Sequence, residues 1–183
     1  MRASWRSPVA WQVAVGRQDG GVRRVVILGR GGAGKSVLSH QLSKVTGLPV
    51  VELDALFWQP GLVPMGPSGW AACQRELVQR PAWILDGDLG PYDQALEVRL
   101  RAADTIVVLD FAFLRCAWRT LRRGRERADY WGWVWSWRRR SLPEILHAIN
   151  ADAPRAKLHV LRNPAMVRRF IAGAREAAAD AVS

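Results

Sequence analysis

Short apolar runs alternate with amphipathic segments along the chain from about Arg23 onward. Most residues in each run are apolar, as expected of strands that are covered on both faces of a sheet. The segments between them repeat apolar residues at helical spacing. This alternation predicts βαβ units, and therefore an α/β fold with a parallel sheet. The five predicted strands span residues 24–28, 49–53, 83–86, 105–110 and 157–161.

Several of the predicted helices have recognisable ends. The first follows Ser36 and stops at Gly47, because glycine readily adopts the left-handed conformation that ends many helices. The run Ser141-Leu142-Pro143-Glu144 fits a capping box with proline in the first turn. Asn163-Pro164 predicts the start of the last helix.

A complete phosphate-loop motif joins the first predicted strand to the first predicted helix. A strand that feeds a glycine-rich turn and opens a helix directs backbone N–H groups and the positive end of the helix dipole at one point. Lys35 is expected to reach the β- and γ-phosphates, and the Ser36 hydroxyl is expected to bind Mg²⁺. The sequence therefore predicts ATP binding. The residues predicted to hold the nucleotide are Gly29, Arg30, Gly31, Gly32, Ala33, Gly34, Lys35, Ser36 and Val37.

Length and composition limit the class of protein. A chain of 183 residues is long enough for one domain with a substantial core. No apolar run approaches the roughly 20 residues that span a bilayer, so we expect a cytoplasmic protein without a membrane partner. Residues 1–22 show no sustained period and are predicted to be a flexible N-terminal extension, which leaves residues 23–183 as the domain.

The net charge of +11 is large for this length, and only three of the 27 basic residues are lysines. A general preference for arginine would produce this balance without any functional meaning. An anionic partner would also favour it, because guanidinium groups fit phosphate oxygens in a fork geometry. Overall basicity does not distinguish a nucleotide from a nucleic acid, so nucleic acid stays a possible partner.

Three aspartates lie at or just after predicted strands. Ligands collect outside the carboxyl ends of parallel strands, so each carboxylate is a candidate neighbour of the phosphate loop. Asp86 is the first candidate for the hydration shell of Mg²⁺. Asp110 is the second, and it could instead cap the following helix. Asp54 could orient or deprotonate an acceptor hydroxyl, or act as a helix N-cap.

Arginine is concentrated between residues 115 and 140. One interpretation is a solvated helical face, the usual fate of a run of charge. The other, which we favour, is a lid over about residues 119–140 that closes on ATP, neutralises transition-state charge and excludes water. A helix that starts near Phe113 would present one arginine-bearing face, formed by Arg115, Arg119, Arg122 and Arg123.

Taken together, the motifs resemble the adenylate-kinase-like P-loop kinases and, among them, the bacterial topology modulation proteins. The resemblance covers about residues 24–172. It rests on the phosphate loop, Leu53-Asp54-Ala55-Leu56-Phe57-Trp58, Trp83-Ile84-Leu85-Asp86-Gly87-Asp88, Arg99, the segment 103–111, Cys116-Ala117-Trp118-Arg119 and Leu161-Arg162.

The resemblance implies a three-layer P-loop fold with a five-stranded parallel sheet, binding of ATP and Mg²⁺, and a helical, arginine-rich lid. It implies that Asp86 lies beside the metal and that Arg119 and Arg123 contact ATP. It also implies that Arg162 lies near the adenine. Trp131, Trp133, Trp135 and Trp137 alternate as in a strand, but the resemblance favours a helix there.

Some positions depart from the family pattern. The family usually has Asp-Gly-Asn-Tyr where this chain has Asp86-Gly87-Asp88-Leu89, and the Phe-Pro-Arg of adenylate kinases is missing. These departures disfavour AMP as the acceptor. The leading hypothesis is an ATP-dependent kinase that transfers the γ-phosphoryl group to a nucleotide or other small-molecule acceptor, as a monomer or dimer. The alternatives are an ATP-switched, DNA-associated regulatory protein and a non-catalytic nucleotide binder.

Overall fold

A computed structural model of the chain describes residues 22–61, 63–122 and 128–180. Its strands are β1 Arg24–Gly29, β2 Val50–Glu52, β3 Trp58–Gln59, β4 Val63–Pro64, β5 Trp83–Asp86, β6 Thr105–Leu109 and β7 Lys157–Leu161. Its helices are α1 Lys35–Thr46, α2 Leu53–Phe57, α3 Pro67–Val78, α4 Leu96–Ala102, α5 Phe113–Leu121, α6 Ala128–Ser136, α7 Ser141–Asp152 and α8 Pro164–Asp180. A 3₁₀ turn at Gly90–Tyr92 follows β5.

Five strands form one sheet in the order β2-β5-β1-β6-β7, and all of its pairings are parallel. These are the five predicted strands, so the predicted α/β fold with a five-stranded parallel sheet is confirmed. The sheet places β1, which leads into the phosphate loop, between β5 and β6. The short antiparallel hairpin of β3 and β4 is an addition that the periodicity did not predict.

The sheet separates two apolar layers, as the alternation of side chains along β1 makes clear. Val25 and Ile27 belong to the core cluster that includes Leu38 of α1 and Ala174 of α8. Val26 and Leu28 belong to the opposite cluster, which includes residues of α3, α4 and α7. All four β1 residues are fully buried. Helices therefore cover both faces, which is the predicted three-layer architecture.

Two of the three predicted helix boundaries are confirmed. Gly47 has a φ of 72° and its N–H donates to Ser43, which ends α1. The Asn163 side chain accepts the backbone N–H of Met166 at 3.0 Å at the start of α8. The capping box at Ser141 is wrong. Leu142 already donates its N–H to the Trp137 carbonyl, so the preceding turn runs into α7 and Ser141 lies inside the helix.

Two predictions fall partly outside the described residues. Residues 1–21 make up nearly all of the predicted N-terminal extension and lie outside them, whereas Val22 already packs against the core. The lid prediction includes residues 123–127, which also lie outside. In the part of the chain that is described, no helix is long and apolar enough to cross a membrane.

Candidate active site at the phosphate loop

The phosphate loop turns tightly between β1 and α1 and rests directly on α5. Gly32 and Gly34 have φ values of 75° and 97°, in the region that favours glycine. A Cβ on Gly32 would lie 2.5 Å from the Cys116 carbonyl oxygen of α5, and one on Gly34 would lie 2.8 Å from the Arg119 guanidinium. At Gly32 the backbone of α5 leaves no room for a side chain, whereas at Gly34 the positive φ is the main constraint because the Arg119 side chain can shift.

Lys35 and Ser36 open α1 at the mouth of the loop. The Lys35 ammonium donates to the Gly29 carbonyl at 2.9 Å, which closes the loop with its own lysine. Burial raises the pKa of the Asp54 and Asp86 carboxyls, and the positive charge of Lys35 opposes that rise at both. The Ser36 hydroxyl lies close enough to Asp86 to oppose the rise in pKa that burial causes at that carboxyl. The structure therefore brings four predicted site residues together at one end of the sheet.

Asp86 ends β5 and is buried, with 4% of its surface exposed. The Ser39 hydroxyl donates to its Oδ2 atom at 3.3 Å. Burial raises the pKa of Asp86, and the charge of Lys35 and the hydroxyls of Ser36 and Ser39 oppose that rise. Within the described residues, the Oδ1 atom of Asp86 has no hydrogen-bond partner. A buried carboxylate oxygen with spare acceptor capacity beside a serine hydroxyl fits the oxygen donors that Mg²⁺ prefers.

The raised pKa of Asp86 has a consequence for stability. Below neutral pH the folded protein takes up a proton at Asp86 before the unfolded chain does, so this group opposes folding at pH 7 and opposes it less as the pH falls. We expect Asp86→Asn to be at least as stable as the wild type at pH 7. The difference in free energy of unfolding between Asp86→Asn and the wild type should be smaller at pH 5 than at pH 7, as measured by urea unfolding at both pH values. An Asp86→Asn variant whose advantage grew on acidification would contradict this.

Asp54 lies in the first turn of α2. Although the residue as a whole is exposed, partial burial of its carboxyl raises the pKa, and Lys35 opposes the rise. The negative charges of Asp86 and Asp88 raise it further. The alternative of a helix N-cap is wrong, because α2 begins one residue earlier and Glu52 occupies the cap position. Asp54 therefore shares one electrostatic environment with the predicted metal and phosphate residues.

Arg119 of α5 lies against the phosphate loop. Its guanidinium donates to the Ala33 carbonyl at 3.3 Å. The other described members of the predicted arginine face behave differently, since Arg115 lies over the Phe111 ring and Arg122 over the Trp118 ring, each at 5.6 Å. Arg123, the second arginine predicted to contact ATP, lies outside the described residues.

The side chain of Arg30 is buried rather than turned to solvent. It lies over the rings of Phe113 and Trp137, at 5.7 and 5.6 Å from their centroids. Burial lowers the pKa of Arg30, and the charge of Asp110 opposes that effect. The loop is thereby tied through Arg30 to α5 and to the segment after α6. Because the Arg30 side chain is buried, we expect only its main-chain N–H to contact a phosphate.

Most of the tryptophan repeat is helical, as predicted, because α6 runs from Ala128 to Ser136. Trp135 meets Phe113 edge-on at 4.8 Å, which joins α6 to α5. Trp137 follows the helix, is fully buried, and donates its indole N–H to Asp88 at 3.0 Å. Trp135 is exposed and Trp137 is buried, so these two indoles do not share one face as they would along a strand.

Asp88 is a site residue that the sequence did not single out. Its Oδ2 atom accepts the Gly29 N–H at 3.3 Å as well as the Trp137 indole, and its Oδ1 atom accepts the Gly90 N–H. The carboxylate thus holds the end of β1 where the phosphate loop begins. One feature of the sequence could have pointed to Asp88: it is a second carboxylate two residues after Asp86, at a position where the topology modulation proteins usually have asparagine.

Asp110 joins three segments rather than acting as a helix cap. It accepts from Arg138 at 2.9 Å and lies 3.6 Å from Arg162. The cap position of α5 is Ala112, so the capping alternative is wrong. Both arginines are more than half exposed, so each pair contributes about 1 kcal/mol or less. Arg162, predicted to lie near the adenine, follows β7 at the same edge of the sheet.

A buried ionic network lies beneath Gly87. Arg99 of α4 is fully buried and pairs with Asp93, whose carboxylate also accepts from Trp70. Arg99 further donates to the Gln74 side chain and to the Gly87 carbonyl. Burial alone would raise the pKa of Asp93, but the charge and hydrogen bonds of Arg99 hold it below its ordinary value. The network fixes the chain just after Asp86.

Two cavities flank the segment 90–94 at the carboxyl ends of the strands. The first, of about 220 Å³, we name the acidic cavity; its polar lining comes from Asp88, Asp93, Ser141 and Glu144. The second, of about 170 Å³, we name the aromatic cavity; its lining includes Phe57, Pro64, Met65, Trp70, Tyr92 and Gln94. Among the described residues that line either cavity there is no arginine and no lysine.

Comparison with known proteins adds information about the fold. No protein-family profile and no curated protein matches the sequence. Among solved structures, shikimate kinase from Acinetobacter baumannii in complex with shikimate is 17% identical, with a TM-score of 0.60 over 83% of this chain and 90% of that chain. A sugar kinase from Janibacter sp. HTCC2649 is 20% identical, with a TM-score of 0.53 over 83% of this chain and 94% of that chain.

A gluconokinase from Sinorhizobium meliloti 1021 is 19% identical, with a TM-score of 0.51 over 90% of this chain and 94% of that chain. These likenesses show that the chain has the fold of P-loop kinases. At such identities they show the fold alone. The narrower resemblance to topology modulation proteins stays a prediction.

Proposed function

We propose that this protein is an ATP-dependent kinase that transfers the γ-phosphoryl group to a hydroxyl of a small-molecule acceptor. One observation carries the proposal: Lys35, Ser36, Asp86 and Asp54 meet at a glycine loop on which Arg119 also rests. Phosphoryl transfer needs positioning and charge stabilisation more than covalent chemistry. The P-loop kinase fold of the chain supports the proposal.

The loop would hold the triphosphate. In this proposal the main-chain amides of residues 29–37 receive the phosphates at the positive end of the α1 dipole. Lys35 leaves the Gly29 carbonyl and binds the β- and γ-phosphates. Ser36 and Asp86 would hold Mg²⁺, which neutralises charge on the phosphate oxygens when bound. Arg162 would lie beside the adenine.

The acceptor and the developing charge would be handled by other residues. Asp54 would accept a hydrogen bond from the acceptor hydroxyl and orient its oxygen toward the γ-phosphorus. Its raised pKa brings it closer to neutral pH, which suits a group that accepts a proton. Arg119 and Arg123 would neutralise charge on the transferred group, and the lid would exclude water from it.

The direct test is a transfer assay with γ-labelled ATP and Mg²⁺ against pooled nucleosides, nucleotides, sugars and other hydroxyl metabolites. We expect label to move to one pool and not merely to water. ATP binding without transfer to any pool would instead favour the non-catalytic nucleotide binder. Retention of sequence-selective DNA binding near physiological salt would favour the DNA-associated alternative, since incidental basicity loses affinity steeply with salt.

Asp86→Asn tests the proposed metal residue. The amide keeps the shape of the side chain but removes the charge that Mg²⁺ requires, so we expect turnover to fall about 10–100-fold. Raising the Mg²⁺ concentration should restore part of the activity. The matched control is Glu76→Gln on α3, which removes an exposed carboxylate away from the loop and should leave turnover unchanged. Equal turnover in Asp86→Asn and the wild type would remove Asp86 from the mechanism.

A further inference from the structure

We propose that the acceptor is a hydroxyl compound that is uncharged or carries an amine, with no carboxylate or phosphate group, and that the aromatic cavity holds its non-reacting part. This inference rests on the proposed kinase function and narrows it to a substrate class. It follows from the position of the aromatic cavity, from its lining and from the charges around it.

The aromatic cavity lies where an acceptor should enter. Phe57 lines it from α2, the same short helix that carries Asp54 one turn earlier. Tyr92 lines it from the 3₁₀ turn that follows β5 and Asp86. The cavity therefore belongs to the segments that leave the carboxyl ends of β2 and β5, beside the strand that enters the phosphate loop.

The lining suits a ring or an apolar surface. Phe57 meets Trp70 edge-on at 5.2 Å and Trp58 edge-on at 5.0 Å, and Tyr92 meets Trp58 at 5.5 Å. Tyr92 is 46% exposed, so part of its ring is open to a ligand. Aromatic faces of this kind stack on flat groups and attract cations through the ring quadrupole.

Arginine is abundant in the chain, but among the described residues none lines either cavity. Arg99 pairs with Asp93, which lines the acidic cavity, but Arg99 itself is fully buried. Lys35 and Arg119 already contact the phosphate loop. In the described lining of both cavities no side chain carries a positive charge. A carboxylate or phosphate on the acceptor would lose its hydration without gaining a counter-ion.

The charged side chains in the described lining of the two cavities are all negative. Asp54 lies on α2, and Asp88 and Glu144 line the acidic cavity. A cleft lined by one sign of charge concentrates ligands of the opposite sign and excludes those of the same sign. An amine would therefore be attracted and an acid repelled, although the whole chain carries a net charge of +11.

The test measures binding by calorimetry, with a non-hydrolysable ATP analogue and Mg²⁺ present. The probes are a metabolite library arranged in pairs that differ in charge, such as octopamine with 4-hydroxymandelate, glucosamine with gluconate, and adenosine with AMP. We expect the amine-bearing or uncharged member of the preferred pair to bind at least tenfold more tightly than its acid. Equal or tighter binding of the acid would overturn the proposal, as would a library in which no uncharged or amine-bearing compound binds.

Two substitutions locate the binding. Tyr92→Ala removes an exposed ring and should weaken the preferred ligand at least fivefold, while Gln94→Arg should raise the affinity of the acid member. Leu158→Ala on β7, at the opposite edge of the sheet, is the control and should change neither affinity. Unchanged affinity in both cavity variants would place the ligand elsewhere and overturn the assignment.

The outcome can be separated from that of the kinase proposal. Charge-selective binding in the aromatic cavity without phosphoryl transfer would contradict the kinase activity and leave the ligand class standing. Transfer to a carboxylate- or phosphate-bearing acceptor would leave the kinase activity standing and overturn the ligand class.

Discussion

Lys35→Met is expected to reduce phosphoryl transfer about 10²–10³-fold while leaving the fold intact. The substitution removes one preorganised donor that would stabilise the negative charge on the phosphate oxygens in the transition state. The substitution should not unfold the protein, since the described contact of the ammonium is a single hydrogen bond to the Gly29 carbonyl in a part-buried position. Turnover with γ-labelled ATP gives the effect, and thermal unfolding shows whether the fold is retained.

Lys44→Met is the matched control. Lys44 lies in the last turn of the same helix, α1, and is exposed, so its loss removes equal charge and length away from the loop. We expect turnover within a factor of two of the wild type. Lys35→Met with unimpaired transfer, or a loss of equal size in Lys44→Met, would exclude the phosphate loop as the site of reaction.

Asp93→Ala is expected to destabilise the protein by about 3–5 kcal/mol, because it leaves the buried charge of Arg99 without its partner. Arg99 is fully buried and Asp93 nearly so, which makes this pair unlike a surface ion pair. The expected readout is a lower free energy of unfolding in urea. Since Arg99 also holds the Gly87 carbonyl, a folded variant should also lose order immediately after Asp86.

Arg101→Ala provides the comparison for this prediction. Arg101 also pairs with an aspartate, Asp152, but its side chain is 66% exposed. Pairs of this kind contribute about 1 kcal/mol or less. A loss of less than about 1 kcal/mol in Asp93→Ala, similar to that in Arg101→Ala, would show that the network beneath Gly87 does not fix the site.

The parts of the fold that depend on local pattern could be predicted from the sequence. Strands covered on both faces are apolar throughout, so β1, β5 and β6 stood out without any knowledge of their neighbours. The phosphate loop was predictable because its turn needs glycine. Gly32, for example, has a positive φ and no room for a Cβ against α5. Gly47 and Asn163 end and begin helices through contacts within five residues.

The parts that depend on distant pairing could not be predicted. Asp88, Trp137 and the Gly29 N–H are far apart in sequence, and nothing local to any of them indicates that they share hydrogen bonds. Asp110 was the second candidate for the metal shell, with helix capping as the alternative, but it lies beside two arginines from other segments that nothing local indicates. Residues 141–144 match the capping-box pattern, yet the Leu142 N–H is bonded to the Trp137 carbonyl, a contact that the pattern does not indicate.

The arginine-rich helix α5 combines contacts that are local in the chain with one that is distant. Helical spacing predicted one shared face for Arg115, Arg119 and Arg122, and the helix itself is confirmed. Neighbouring rings decide what each arginine does, since Arg115 and Arg122 lie over aromatic side chains while Arg119 contacts Ala33. Phe111 and Trp118 each precede their arginine by four residues, so those two contacts are local, and of these three arginines only Arg119 reaches another element, the phosphate loop.

The binding of a triphosphate by the loop is most directly measured by NMR. Backbone amide shifts of residues 29–37 should be followed while an ATP analogue and Mg²⁺ are added, and again with adenosine alone. We expect the amides of Gly31 to Ser36 to move with the analogue, to move further with Mg²⁺, and to stay in place with adenosine. Unchanged loop amides at saturating analogue, with shifts confined to other parts of the protein, would contradict the assignment of this site.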